Sequence, residues 1–217
     1  MLSNTQLQSN VLAELGWEPS VDAGHIGVSV HDGVVTLNGH VGSFWQKFAA
    51  ENAAARVKGV KAVAEEIEVK LPFDVKHGDE EIAKAALQRL SWDASVPNDA
   101  IKVRVESGQV TLNGNVNWHY QREAAEHAVR FLNGVVSVFN HINIEPVVNA
   151  NNVAEDIVKA LHRSWYFDAN TIKVNAKGGA ITLTGTVKTW NARDLAGTTA
   201  WSAPGASSVQ NDIQVLS

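Results

Sequence analysis

The chain has 217 residues with 18 basic and 23 acidic side chains, a formal charge of −5, eight histidines and no cysteine. Disulfides and thiolate metal sites are therefore excluded. The charge is spread as 5 basic and 8 acidic groups in residues 1–72, 7 and 10 in 73–146, and 6 and 5 in 147–217, so no stretch offers the concentrated basic surface that nucleic-acid binding or polybasic lipid attraction needs.

Leu7, Val11, Leu12 and Leu15 fall at helical spacing after Asn4 and Thr5, polar residues suited to an N-terminal cap. They predict a short amphipathic helix ending at Gly16, with Trp17-Glu18-Pro19 opening a loop. Ile26, Val28 and Val30 then alternate with polar or small residues, the period of a strand covered on one face. Asp32-Gly33 makes a tight turn into a second strand with Val35, Leu37 and Val41 on one face, giving a hairpin. Gly39 lies on that same face, where glycine weakens a strand unless a close-approaching helix or a bend requires it. The alanine-rich stretch from Phe44 to Lys58 predicts a second helix capped by Gly59, and Val63, Ile67 and Val69 a third strand. A helix between strands two and three acts as a crossover, so the third strand should run parallel to the second.

This pattern is written three times. Val34-Val35-Thr36-Leu37-Asn38-Gly39-His40-Val41 returns as Gln109-Val110-Thr111-Leu112-Asn113-Gly114-Asn115-Val116 and as Ala180-Ile181-Thr182-Leu183-Thr184-Gly185-Thr186-Val187. Twenty residues beyond Gly39, Gly114 and Gly185 stand Gly59, Gly134 and Gly205, and four further on Val63, Val138 and Val209. A fixed spacing of this kind marks a copied module. Residues 1–71, 77–146 and 150–217 are therefore expected to form three domains of the α+β class, each αββαβ with two helices on a three-stranded mixed sheet. The proline-bearing linkers run from Lys70 to Gly78 and from Glu145 to Asn151. In the third module Gly197, Thr198, Thr199, Ser202 and Pro204 lower helical propensity, so its second helix is expected to be the most mobile element.

The element order, with I-x-V-x-V, V-T-L-x-G-x-V, G-V-x-x-V and a closing I-x-V, resembles the BON domain family, named for bacterial OsmY and nodulation proteins. The resemblance covers nearly the whole chain. It implies phospholipid contact, envelope maintenance or osmotic-stress roles, and no shared catalytic site. Many members are secreted or lipid-anchored and join one or two copies to another domain, whereas this chain reads as three copies alone. The first residues lack the basic start and apolar middle of a secretory signal, and no apolar run reaches membrane-spanning length, so a cytoplasmic location is expected.

No two histidines have the i, i+4 spacing of a helical zinc site and no position holds histidine in all three modules, so neither metal nor cofactor is expected. Glu123 and His127, one helical turn apart, read as an exposed polar pair. The repeated positions are apolar or glycine, with Gly39, Gly59, Gly114, Gly134, Gly185 and Gly205 structural, and there is no nucleophile elbow or phosphate loop. A non-enzymatic protein follows. Aromatic residues follow helix one at Trp17, Trp92 and Trp165, the last with Tyr166 and Phe167, and a second group opens helix two at Phe44, Trp45, Trp118, Tyr120 and Trp190. Each tryptophan either covers its own small core or stays at the surface, where an amphipathic ring suits a lipid interface or a protein partner. The leading expectation is binding of phospholipid surfaces or lipid-like ligands through Trp17, Trp92, Trp165, Tyr166 and Phe167. The alternative is a stress-protective or protein-interaction scaffold that self-associates or binds a protein partner.

Overall fold

The computed structural model describes residues 3–72, 77–145, 152–163 and 171–216. In the first module α1 (Asn4–Trp17) leads through a 3-10 turn (Ala23–His25) into β1 (Ile26–His31) and β2 (Val34–Val41), followed by α2 (Phe44–Ala55) and β3 (Ala62–Val69). The second module repeats this with α3 (Asp79–Trp92), β4 (Ile101–Glu106), β5 (Gln109–Val116), α4 (His119–Arg130) and β6 (Ser137–Ile144). The third has α5 (Val153–His162), β7 (Ile172–Lys177), β8 (Ala180–Val187), α6 (Trp190–Trp201) and β9 (Ser208–Val215). Each module has its own three-stranded sheet, in the orders β1-β2-β3, β4-β5-β6 and β7-β8-β9. The hairpins β1-β2 and β7-β8 are antiparallel, and β3 and β9 run parallel to β2 and β8 as the crossover argument requires. By compactness the chain divides into two units whose boundary runs through the second module: one holds residues 1–90, 103–111 and 127–139, the other 91–102, 112–126 and 140–217.

Helix one of each module buries three residues at i, i+4 and i+8: Leu7, Val11 and Leu15, then Ile82, Ala86 and Leu90, then Val153, Ile157 and Leu161. In the first unit they pack on Val35, Leu37, Val41 and Ile67 and on the alanines of α2. In the second, Ile181, Leu183, Val187 and Ile213 meet the alanine face of α6. Alanine brings a helix close to a sheet without losing side-chain entropy. Ser3, not Asn4 or Thr5, caps α1, its hydroxyl accepting the Gln6 N–H at 3.1 Å.

The hairpin turns have two consecutive residues with positive φ, Asp32 and Gly33, Ser107 and Gly108, and Gly178 and Gly179, the geometry whose twist matches that of the strands it joins. The repeated strand glycines have a cause other than the expected helix approach or bend. At Gly39, Gly114 and Gly185 φ is +115°, +153° and +131°, and a Cβ would overlap the carbonyl oxygen of His25, Ala100 or Thr171, each just before the partner strand.

One further expectation is corrected. Helix one continues through Gly16 and ends on Trp17. Helix α6 keeps the same 12-residue length as α2 and α4 despite its glycine and threonines. Thr198 and Thr199 donate their hydroxyls to carbonyls four residues back, at 3.1 and 2.8 Å, and Thr189 caps the helix by accepting the Ala192 N–H at 3.1 Å.

A polar link recurs between helix two and the last strand. Lys47 pairs with Glu65 at 2.7 Å and donates to the Ile67 carbonyl. At the matching positions Arg122 and Asn140 exchange bonds with each other's main chain, as do Arg193 and Asn211. The same strand residue also accepts the main-chain N–H two places on: Glu65 from Ile67, Asn140 from Ile142 and Asn211 from Ile213.

Candidate binding surface

Trp17 and Trp92 are the last residues of α1 and α3, two places beyond the buried Leu15 and Leu90. Two residues turn a helix by roughly 200°, so a side chain there points away from the core. Both rings are 82% exposed, and Leu12 and Leu87, which also occupy matching positions, are 45% and 53% exposed. These rings do not cover the cores. Both rings stand at the same structural position in their modules.

The end of α1 is held from outside. Arg56, at the C-terminal cap of α2, reaches Glu14 at 2.6 Å and Glu18 at 2.9 Å, and Glu18 also accepts the Ser20 hydroxyl at 2.8 Å. The Arg56 bond, and next the Ser20 bond, hold the Glu18 carboxyl below its ordinary range. The clasp fixes the helix end that carries Trp17.

Trp165, Tyr166 and Phe167 lie outside the described residues. Counting from Leu161, the last buried residue of α5, the place of Trp17 and Trp92 belongs to Arg163, which is exposed. Trp165 is two residues further along the chain.

The aromatics at the opening of helix two have a different role. Trp45 lies 4.4 Å from Phe131, ring centre to ring centre, and the Arg130 guanidinium sits 3.8 Å above the Phe48 ring. His119, the first residue of α4, stacks on Trp201 at the end of α6 with centres 3.8 Å apart and planes 13° from parallel. These contacts join successive modules. Tyr120 and Trp190 are 55% and 40% exposed. Glu123 and His127 are both exposed, and Glu123 pairs with His119 at 3.3 Å.

Shallow depressions among the described residues include the following two. One of about 370 Å³ is lined by Leu71, His77, Asp79, Ser107, Gly134 and Val136, with Gly78 and Gly108; the other, about 350 Å³, lies between Val158 of α5 and Val174 of β7. In the first, Asp79 already accepts the N–H groups of Ser107 and Gly108 at 2.8 and 2.9 Å, so its carboxylate anchors the hairpin tip. Among the described residues no three His, Cys, Asp or Glu side chains are grouped to hold a metal ion, and no helix is long and apolar enough to cross a membrane.

With this geometry in hand, the comparisons with known proteins define the class. The BON domain model matches residues 3–70, 78–146 and 149–217. The chain belongs to the BON-domain family. It is similar to the osmotically-inducible protein Y of Escherichia coli (strain K12), 29% identical over 148 residues that span 65% of this chain and 72% of that protein. Among solved structures it aligns with the C-terminal domain of CdsD, the structural protein of the type III secretion system of Chlamydia trachomatis, at 17% identity and a TM-score of 0.27 over all of both chains. The PrgH periplasmic domain aligns at 13% identity and a TM-score of 0.22, over 88% of this chain and 95% of that one.

Proposed function

We propose that the chain is a non-enzymatic binding protein that contacts phospholipid surfaces or lipid-like ligands through the tryptophans closing helix one, in a stress or envelope-related role. The observation that carries this is the 82% exposure of both Trp17 and Trp92 at one structural position. An indole there can enter a headgroup layer while its N–H stays hydrated. The similarity to an osmotically inducible protein supports the stress component. With a net charge of −5 the attraction is apolar, so binding should depend weakly on salt.

The experiment is flotation with neutral and anionic liposomes, comparing the parent with a Trp17→Ala/Trp92→Ala double variant. Both side chains are exposed, so the variant should keep its fold, which circular dichroism checks. Apolar area contributes roughly 25 cal/mol per Å², and removal of two rings should therefore cut association by tenfold or more. A parent that does not float rejects the lipid reading. If the same parent forms a defined oligomer, or captures one protein stoichiometrically through Trp17 and Trp92, the scaffold reading replaces it.

A further inference from the structure

The sheet of the first module has a face turned away from the helices, and two histidines meet on it. His25 ends the 3-10 turn before β1, and His40 is the penultimate residue of β2. Because Ile26 pairs with Gly39, the antiparallel register sets His25 opposite His40, and their ring centres lie 4.7 Å apart with planes tilted by 43°.

We infer that His25 and His40 form a two-imidazole site for a borderline divalent metal ion, Cu²⁺, Ni²⁺ or Zn²⁺, with water completing the coordination. The separation fits. With metal–nitrogen bonds of about 2.0–2.1 Å, two imidazoles bound side by side on one ion have ring centres about 4.5–5.2 Å apart. Imidazole is also the donor these ions share.

A carboxylate stands behind one ring. Asp22 accepts the Gly24 N–H through Oδ1 at 3.2 Å, which fixes its side chain, and its Oδ2 is 3.8 Å from Nδ1 of His25. At that separation there is no hydrogen bond, and the carboxylate acts on the imidazole, and on a cation beside it, through its charge. Glu68, beside His40 in the parallel register, is 73% exposed and turned to Lys70 at 3.6 Å, so it stands outside the pair. The His25 side chain is 60% exposed, which leaves an open approach.

The fold does not need these imidazoles. The matching places hold Ala100, Asn115 and Asn143 in the second module and Thr171, Thr186 and Gln214 in the third. Asn143 there lies 3.5 Å from Asn115. His40→Asn and His25→Ala therefore copy residues that the same fold already carries.

The test is calorimetric titration of the full chain with Cu²⁺, Ni²⁺ and Zn²⁺ salts against glycine as competitor, with electron paramagnetic resonance of the Cu²⁺ form. The expected result is one saturable equivalent, tightest for Cu²⁺, with spectra of two nitrogen ligands. His40→Asn and His25→Ala should each weaken binding at least tenfold. His141→Asn should leave it unchanged. Absence of saturable binding, or binding that survives both His25→Ala and His40→Asn, overturns the inference. Should His40→Asn fail to fold by circular dichroism, His25→Ala, whose side chain is exposed, decides the question by the same criterion.

Discussion

At the scale of single residues, the strand glycines and His119 carry the sharpest expectations. Gly114 has φ +153° and its missing Cβ would meet a main-chain oxygen, which cannot swing aside as a side chain could. Gly114→Ala should therefore cost about 2–5 kcal/mol, combining backbone strain with overpacking, whereas Asn115→Val, one place on and facing solvent, should cost little. Urea melts of the two variants check the contrast, and equal midpoints would contradict it. Burial pushes the His119 imidazole below its ordinary value, a shift that Glu123 partly opposes and Arg122 adds to, and its Nδ1 is buried without a hydrogen-bond partner. The unfolded chain then binds more protons, so stability is complete above the ordinary histidine range near pH ~6.5 and is lost as pH falls through it. Replacing His119 with Gln should reduce the slope of stability against pH between roughly 5 and 7; an unchanged slope would place the proton elsewhere. The aromatic face that the imidazolium would meet, Trp201, belongs to the next module, so this titration reports on a contact between modules.

At the scale of elements, the sequence was legible wherever the signal was local. Apolar residues at i, i+4 and i+8 marked helix one three times, and the hairpins followed from alternation broken by residues that accept positive φ. What escaped had partners far along the chain. The oxygen that forbids a side chain at Gly39 belongs to His25, fourteen residues earlier, so a reading of β2 alone could find only that glycine needed a cause. The His25 and His40 pair is invisible to helical spacing because two strands and a turn bring it together. Trp165 shows a different failure: it follows helix one as Trp17 and Trp92 do, but the spacing from the buried leucine puts Arg163 in their place. Helix two teaches a similar lesson at its start. Ser43 and Thr189 cap α2 and α6 by accepting a main-chain N–H at 3.3 and 3.1 Å, but the matching residue in the second module is Trp118. There Gln121 reaches back instead, its Oε1 accepting the N–H groups of Asn117 and Trp118 at 3.0 and 3.1 Å. Gln121→Ala should remove both bonds and cost about 1 kcal/mol, as loss of an N-terminal cap does, with amide exchange at Asn117 and Trp118 as the local readout.

At the scale of the whole molecule, three sheets of three strands leave many outer strands. An outer strand with unpaired main-chain groups is a template on which another chain can build. Crowding makes this hazard worse, because it brings such edges together. The hooked side chains of the last strands answer it. Glu65, Asn140 and Asn211 each engage the N–H two places on, so that donor is not offered to a neighbour. Asn211→Ala should therefore change the solution behaviour of the protein more than its melting point, producing thioflavin-positive material at high concentration where the parent stays clear. In these strands the residue that ties the last strand to helix two also occupies a main-chain donor that a second copy of the chain would need in order to grow onto the first.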